Sequence, residues 1–261
     1  MQYEIQIDCD DFWVYEQDDS FRFNENMKFD IYKGSINKIL EHLGQHKLKA
    51  TFFVVGRDIK LNSNAKSIIR NIINLGHDLG NHTLNHRNDY HLITRNEAYA
   101  EILNNHELLK NEFNYTCTKF RAPGYNFRED QVEYLELLGY KFEDSNWFSV
   151  IIPLLNIYFK VVAGSIKRIE TGFQVKHPEA NSLHFRSIMI IKWLKTPFHV
   201  TFFYLYPKFV IRFLLRFKLI SGEIFLIHAK DYLLKKNMKN FMEKIDLVFT
   251  YISKEHQNFR N

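Results

Sequence analysis

An α/β fold built on a parallel sheet, open or closed into a barrel, is what the sequence predicts, and three observations carry that reading. Short segments of strand character, alternating at residues 3–8, continuously apolar at 50–55 and 224–227 and brief at 119–121, recur along the chain. Segments with helical spacing of apolar residues lie between them, and alternation of the two is the mark of β-α-β units. The chain has 261 residues, 46% apolar and 25% charged, with 24 Phe and 14 Tyr but only 10 Gly and 5 Pro. That is globular usage rather than disordered or collagen-like usage. The length suits one barrel-sized domain. Residues 1–261 are read as one domain, with an irregular insertion near residues 148–200 where the alternation lapses.

Each element has its own justification. Residues 3–8 alternate and are short, as a strand does. Ile36, Ile39, Leu40 and Leu43 have helical spacing, and Gly44 follows as a stop. Residues 50–55 form a continuous apolar run closed by Gly56, which suits a strand buried on both faces. Ile59, Ile68, Ile69, Ile72 and Ile73 predict a second helix ended by Gly76. Residues 96–113 read as a third helix, 119–121 as a short strand before Pro123-Gly124, and 129–138 as a fourth helix ended by Gly139. Residues 224–227 are a late buried strand, and Phe241, Ile245, Val248 and Ile252 lay an apolar stripe on a C-terminal helix.

Composition excludes several classes. Lys and Arg number 35 against 30 Asp and Glu, a formal charge of +5, too small and diffuse to argue for nucleic acid. Two cysteines, Cys9 and Cys117, exclude a disulfide scaffold and point to a reducing compartment. Both read as buried thiols. Residues 1–5 lack a basic leader, and no apolar stretch reaches the roughly 18 residues of a spanning helix. The expected location is the cytoplasm, including the inner face of the membrane. Residues 206–218 are apolar with Lys208, Arg212, Arg216 and Lys218 interspersed. That pattern suits a helix packed on the barrel with snorkelling basic residues, or peripheral contact with an anionic bilayer.

Four clusters carry candidate chemistry, each just after a predicted strand, where parallel α/β folds gather functional groups. In Asp8-Cys9-Asp10-Asp11 the adjacent acids are one metal ligand and one general base, or a solvated acidic turn. His82 and His86 are spaced i, i+4, so one helical turn puts both imidazoles on one face. They are metal ligands or surface histidines. Arg121 enters the rigid Pro123-Gly124 turn and is placed to hold a carboxylate, with the turn's N–H groups as oxyanion donors; the alternative is a plain loop. His228 ends an apolar strand and is a general acid or a structural histidine.

Taken together in order, these clusters resemble the polysaccharide deacetylases of carbohydrate esterase family 4, the NodB-homology domain. Residues 7–12 look like that family's first motif, 50–56 like its second strand, and 76–86 like its metal motif H-[ST]-x-x-H with the preceding G-x-x-x-G-N. Residues 120–125 resemble the arginine-proline motif and 226–228 the final leucine-histidine motif. The chain departs from the common pattern in having no glycine after the acidic pair, Ala122 in place of a second proline, and no proline after His228. Residues 140–145 match the fourth motif loosely, with Asp144 as its acid.

The resemblance implies a distorted (β/α) barrel of about seven parallel strands. It implies metal-dependent removal of an N-acetyl or other short N-acyl group from an amino sugar, and the expected cytoplasmic location favours a polysaccharide or glycolipid precursor, nucleotide- or lipid-linked, as the substrate. Carried over, Asp11, His82 and His86 would hold a divalent metal, zinc first, with cobalt, nickel or manganese as alternatives. Asp10 would be the general base, Arg121 would orient Asp10, and His228 would be the general acid. The backbone N–H of Tyr125 would help stabilise the oxyanion. Competing readings are hydrolysis of another non-peptide C–N bond, in a small cyclic amide or a formamido sugar, and a non-catalytic barrel that binds glycan.

Overall fold

The computed structural model of the protein describes residues 3–16, 31–146, 180–187, 200, 204, 206–220, 223–234 and 237–258. Seven strands form its sheet: β1 (Glu4–Asp8), β2 (Ala50–Val54), β3 (Asp78–Asn81), β4 (Lys119–Phe120), β5 (Phe142–Asn146), β6 (His184–Ser187) and β7 (Ile224–His228). Their order is β6-β5-β4-β3-β2-β1-β7, and every pairing is parallel. Arg186 of β6 bonds Glu4 of β1 although four strands separate them in that order. The sheet therefore curls on itself, and the fold is a distorted (β/α) barrel, as expected.

The connecting helices are α1 (Phe12–Glu16), α2 (Asn37–Gln45), α3 (Gly56–Leu61), α4 (Ala65–Asn74), α5 (Arg95–Phe113), α6 (Val132–Leu137), α7 (Lys208–Arg216), α8 (Asp231–Leu234) and α9 (Met238–Asn258). Where sequence and structure differ, local hydrogen bonding gives the reason. The helix expected across Ile59 to Ile73 is split into α3 and α4, because the Asn62 side chain accepts from the Asn64 amide and turns the chain. The helix expected at 129–138 begins as a 3₁₀ turn, Glu129–Gln131, before α6. Helix α2 runs through Gly44 rather than stopping at it. Strand β6 lies inside the stretch expected to be irregular, and most of 148–200 lies outside the described residues.

Strand alternation gives the sheet two different faces. Ile5, Ile7, Phe52, Val54, Phe120, Phe225 and Ile227 join one apolar core with residues of the surrounding helices. The opposite face is polar and also buried. There Glu4 accepts from Thr51 Oγ1 at 2.6 Å and Lys119 Nζ at 2.9 Å, while Gln6 Nε2 donates to Asp144 at 2.8 Å. Ile224 and Leu226 of β7 form a separate small cluster against Tyr125 on that face. Gly80 in β3 leaves no room for a side chain, since a Cβ there would sit 2.5 Å from the Phe53 ring.

Gly80→Ala therefore forces the Phe53 ring aside, and that ring lies under the Arg121 guanidinium at 4.1 Å. Overpacking of this kind costs about 1–3 kcal/mol. Urea denaturation should show a lower midpoint; an unchanged midpoint would show that the ring has room to move.

Candidate active site

Arg121 is fully buried at the end of β4. Its Nη1 pairs with Asp8 Oδ1, its Nη2 donates to Gln6 Oε1, and its Nε donates to the Asp144 carbonyl at 3.0 Å. A buried guanidinium is tolerated only with its donors satisfied, and β1 and β5 supply the acceptors. The other Asp8 oxygen, Oδ2, lies 3.6 Å from His228 Nε2 and 3.4 Å from the Tyr125 hydroxyl. That hydroxyl is also 3.4 Å from His228 Nε2. Burial, then the Asp8 charge, push the Tyr125 phenol well above its ordinary value, so it stays protonated.

Asp10 Oδ1 lies 3.4 Å from His82 Nε2 and 3.7 Å from His86 Nε2, and all three residues are buried. One ligand atom from each lies within 4.8 Å of the other two. Burial drives His86 down to about 4, so its imidazole is neutral at physiological pH. Burial works against ionisation of Asp10 too, but the His86 and His82 rings outweigh it and hold the carboxyl well below its usual range. Burial likewise lowers His82, and the Asp10 carboxylate more than restores it. His82 Nδ1 meets the Arg121 carbonyl at 2.8 Å, the outer hydrogen bond that fixes a ligating imidazole. Two imidazoles and a carboxylate suit zinc and its neighbours, and His86 Nδ1 is a buried ring nitrogen with no hydrogen-bond partner among the described residues. The residues fit a divalent cation.

Residues 26–142 match the family described as polysaccharide deacetylase. That match covers just under half of the 261 residues and takes in Asn81, His82, His86 and Arg121. Over 97 residues it is 34% identical to a peptidoglycan-N-acetylglucosamine deacetylase of Bacillus cereus, a match covering 37% of this chain and 34% of that relative. The match thus spans about a third of the relative's length. A Mycobacterium smegmatis structure assigned to the polysaccharide deacetylases shares the fold, with TM-score 0.63 and 13% identity over 99% of this chain and 91% of that one. So does a family 4 pseudoenzyme from Bacillus anthracis, with TM-score 0.53 and 15% identity over 97% and 62% of the two chains.

These similarities do not settle which acid sits where, and here the structure corrects the expectation. Asp10, rather than Asp11, joins His82 and His86; Asp11 accepts from Asn62 Nδ2 at 2.8 Å and from the Phe12 amide. Arg121 pairs with Asp8 rather than with Asp10. The reason is backbone parity. Cys9 N donates to Phe53 O, so the extended chain continues past β1 and carries Asp10 to the face of Asp8. Tyr125 reaches the site through its hydroxyl, while its backbone N–H, expected to serve an oxyanion, donates to the Ala122 carbonyl.

His82 and His86 do meet, with ring centroids 4.8 Å apart, but not across a helical turn. Residues 82–86 form an irregular loop in which Thr83 and His86 have φ of 65° and 44°. Asn81 accepts from Thr83 N at 2.8 Å and from Asn105 Nδ2 at 2.8 Å, and Glu101 accepts from both nitrogens of Asn85. These positioning residues were not singled out from sequence, nor was Asp58, whose buried carboxyl takes Trp13 Nε1 at 2.6 Å and Tyr32 Oη at 3.0 Å beside the acidic turn. Asp144, the loosely matched fourth acid, is forked by Arg186. Cys9 and Cys117 are buried thiols, as expected.

Asp10→Asn should remove one equivalent of bound zinc, whereas Asp11→Asn should remove none. Metal analysis after equilibrium dialysis checks this, and loss of zinc from Asp11→Asn alone would reverse the placement.

Proposed function

We propose that the protein is a metal-dependent hydrolase that removes an N-acetyl, or other short N-acyl, group from an amino sugar. The observation that supports this best is the meeting of two sets of groups at the carboxyl ends of the strands. Asp10, His82 and His86 form one set; Asp8, held by Arg121, and His228 form the other. The sugar named for the Bacillus cereus relative, N-acetylglucosamine, supports an N-acetylated substrate here.

In this reading Asp10, His82 and His86 hold the cation, zinc before cobalt, nickel or manganese. Bound there, the cation supplies a Lewis acid that brings water near its deprotonation point at neutral pH and polarises the amide carbonyl. Asp8 accepts the proton of the attacking water, with Arg121 fixing one of its oxygens and leaving Oδ2 toward His228 and Tyr125. His228 delivers a proton to the departing amine, which otherwise leaves poorly. The Tyr125 phenol donates into the same space, where negative charge develops in the transition state. Asp8 thus takes the base role first read onto Asp10, and Asp10 takes the ligand role first read onto Asp11.

Helix α7 supports a further part of the proposal, contact with an anionic bilayer that presents a lipid-linked substrate. Ile211, Leu214 and Leu215 are buried, while Phe209, Phe213 and Phe217 lie at i, i+4 and i+8 with 73%, 54% and 56% exposure. Arg212 and Arg216 are interleaved with them. Apolar rings beside basic residues suit the anionic cytoplasmic leaflet. No helix among the described residues is long and apolar enough to cross a membrane.

Two measurements test these proposals. Acetate release from N-acetylglucosamine oligomers should fall by about 10²-fold or more in Asp8→Asn, with bound zinc unchanged. Wild-type turnover in that variant would remove the base assignment, and zinc-loaded wild type that binds glycan without releasing acetate would favour the non-catalytic reading. Separately, the wild type should sediment with phosphatidylglycerol vesicles and the Arg212→Glu/Arg216→Glu variant should not. Equal recovery of both in the supernatant would remove the membrane contact.

A further inference from the structure

A second set of metal-ligating side chains lies on the helical layer, outside the reaction proposed above. We propose that His42, His46 and Asp246 form a second divalent-cation site, suited to zinc, copper(II) or nickel, that ties α2 to α9. His42 lies in the last turn of α2 and His46 is its C-terminal cap, so the i, i+4 spacing puts both rings on one face. Asp246 comes from α9, some 200 residues further along the chain. Both Nε2 atoms converge on the same carboxylate oxygen, His42 at 2.7 Å and His46 at 3.1 Å from Asp246 Oδ1. One ligand atom from each residue lies within 4.8 Å of the others.

The surroundings match what a ligating histidine needs. His42 Nδ1 meets the Tyr232 hydroxyl at 2.9 Å, a partner that accepts the ring N–H when Nε2 is a ligand. The Phe249 ring packs on both imidazoles, with centroids 4.8 and 5.6 Å away, and holds their rotamers. Burial keeps His42 below its ordinary value despite Asp246, so its ring is neutral and offers a lone pair. The C-terminal end of a helix carries the negative end of its dipole, which favours a cation. Asp246 is half-exposed, which leaves an entry path and a position for water. Tetrahedral zinc with Zn–N of about 2.0–2.1 Å sets its ligand atoms roughly 3.3 Å apart. Opening the present N–O separations that far takes a small rotation of the exposed Asp246 side chain.

The site is tested in the full chain with the first centre disabled, as His82→Ala/His86→Ala. Cobalt(II) titration of that variant should show one equivalent, with the intense visible absorption of a low-coordinate nitrogen and oxygen site. Zinc should raise its melting temperature. Adding His46→Gln or, independently, Asp246→Asn should abolish the absorption and the thermal shift; both positions are partly exposed, and circular dichroism checks that each variant folds. Absence of the cobalt spectrum in the folded double variant would overturn the proposal. So would a spectrum that survives both added substitutions, because the ion would then be held elsewhere.

Discussion

The buried guanidinium of Arg121 is the constraint on which the rest of the interior depends. A charge fully removed from water is stable only if its donors are met, and breaking such a set typically costs about 3–5 kcal/mol. Three acceptors, the Asp8 carboxylate, the Gln6 amide oxygen and the Asp144 carbonyl, come from two strands, β1 and β5. The Phe53 ring closes one flat face at 4.1 Å. Together these requirements reach β1, β2 and β5, so the arginine fixes the curl of the sheet as well as the charge of its interior. Gly80 follows from the same demand, since a side chain there would displace Phe53.

The arginine also separates the two neighbouring carboxylates chemically. Asp8 and Asp10 share a face and both lie among cationic or polarisable groups, yet their partners differ. Asp8 is held by a group that is always charged and is turned on its other side to His228 and Tyr125. Asp10 is held by two imidazoles, one of which burial keeps neutral. A carboxylate paired with a permanent cation keeps its position whatever the state of the site. One paired with imidazoles exchanges protons with them and is disposed to share a cation instead. Two acids on one strand thereby acquire two roles from their environments alone.

Much of this was legible in the sequence because strand period and apolar runs are local. Strands β1, β2 and β7 and helices α2, α5 and α9 are marked by residues that touch the apolar core, and the helix–strand alternation gave the parallel α/β class, with the barrel implied by the motif resemblance. The paired histidines and the buried arginine were legible as motifs. The assignment of acids was not, because it depends on how far the extended backbone runs beyond Asp8. Adjacent Asp10 and Asp11 look like a pair in the sequence, whereas the structure pairs by parity and selects Asp8 and Asp10. Strands β5 and β6 escaped for a related reason. Their inward residues, Asp144 and Arg186, answer the polar interior, so the run Phe142–Asn146 lacks the apolar signature of a buried strand.

The loop that brings His82 to His86 shows how such a polar interior also sustains strain. Thr83, a β-branched residue, holds φ of 65°, and His86 holds 44°. Conformations of this kind cost of order 1–3 kcal/mol each and persist only where surrounding contacts over-determine them. Helix α5 provides those contacts. Asn105 bonds the β2 carbonyl of Val54 and the Asn81 side chain, Asn81 in turn accepts from Thr83, and Glu101 clamps Asn85. The inward face of α5 therefore carries buried Glu101, Asn105 and His106 beside Ala98, Ile102 and Leu109. A purely apolar stripe would bury the helix equally well, but it would leave the loop's amides without acceptors and let the two imidazoles swing apart. The polar substitutions on α5 are thus explained by the geometry of a loop almost 20 residues earlier in the chain, and the strained backbone at Thr83 and His86 is the form in which that geometry is stored.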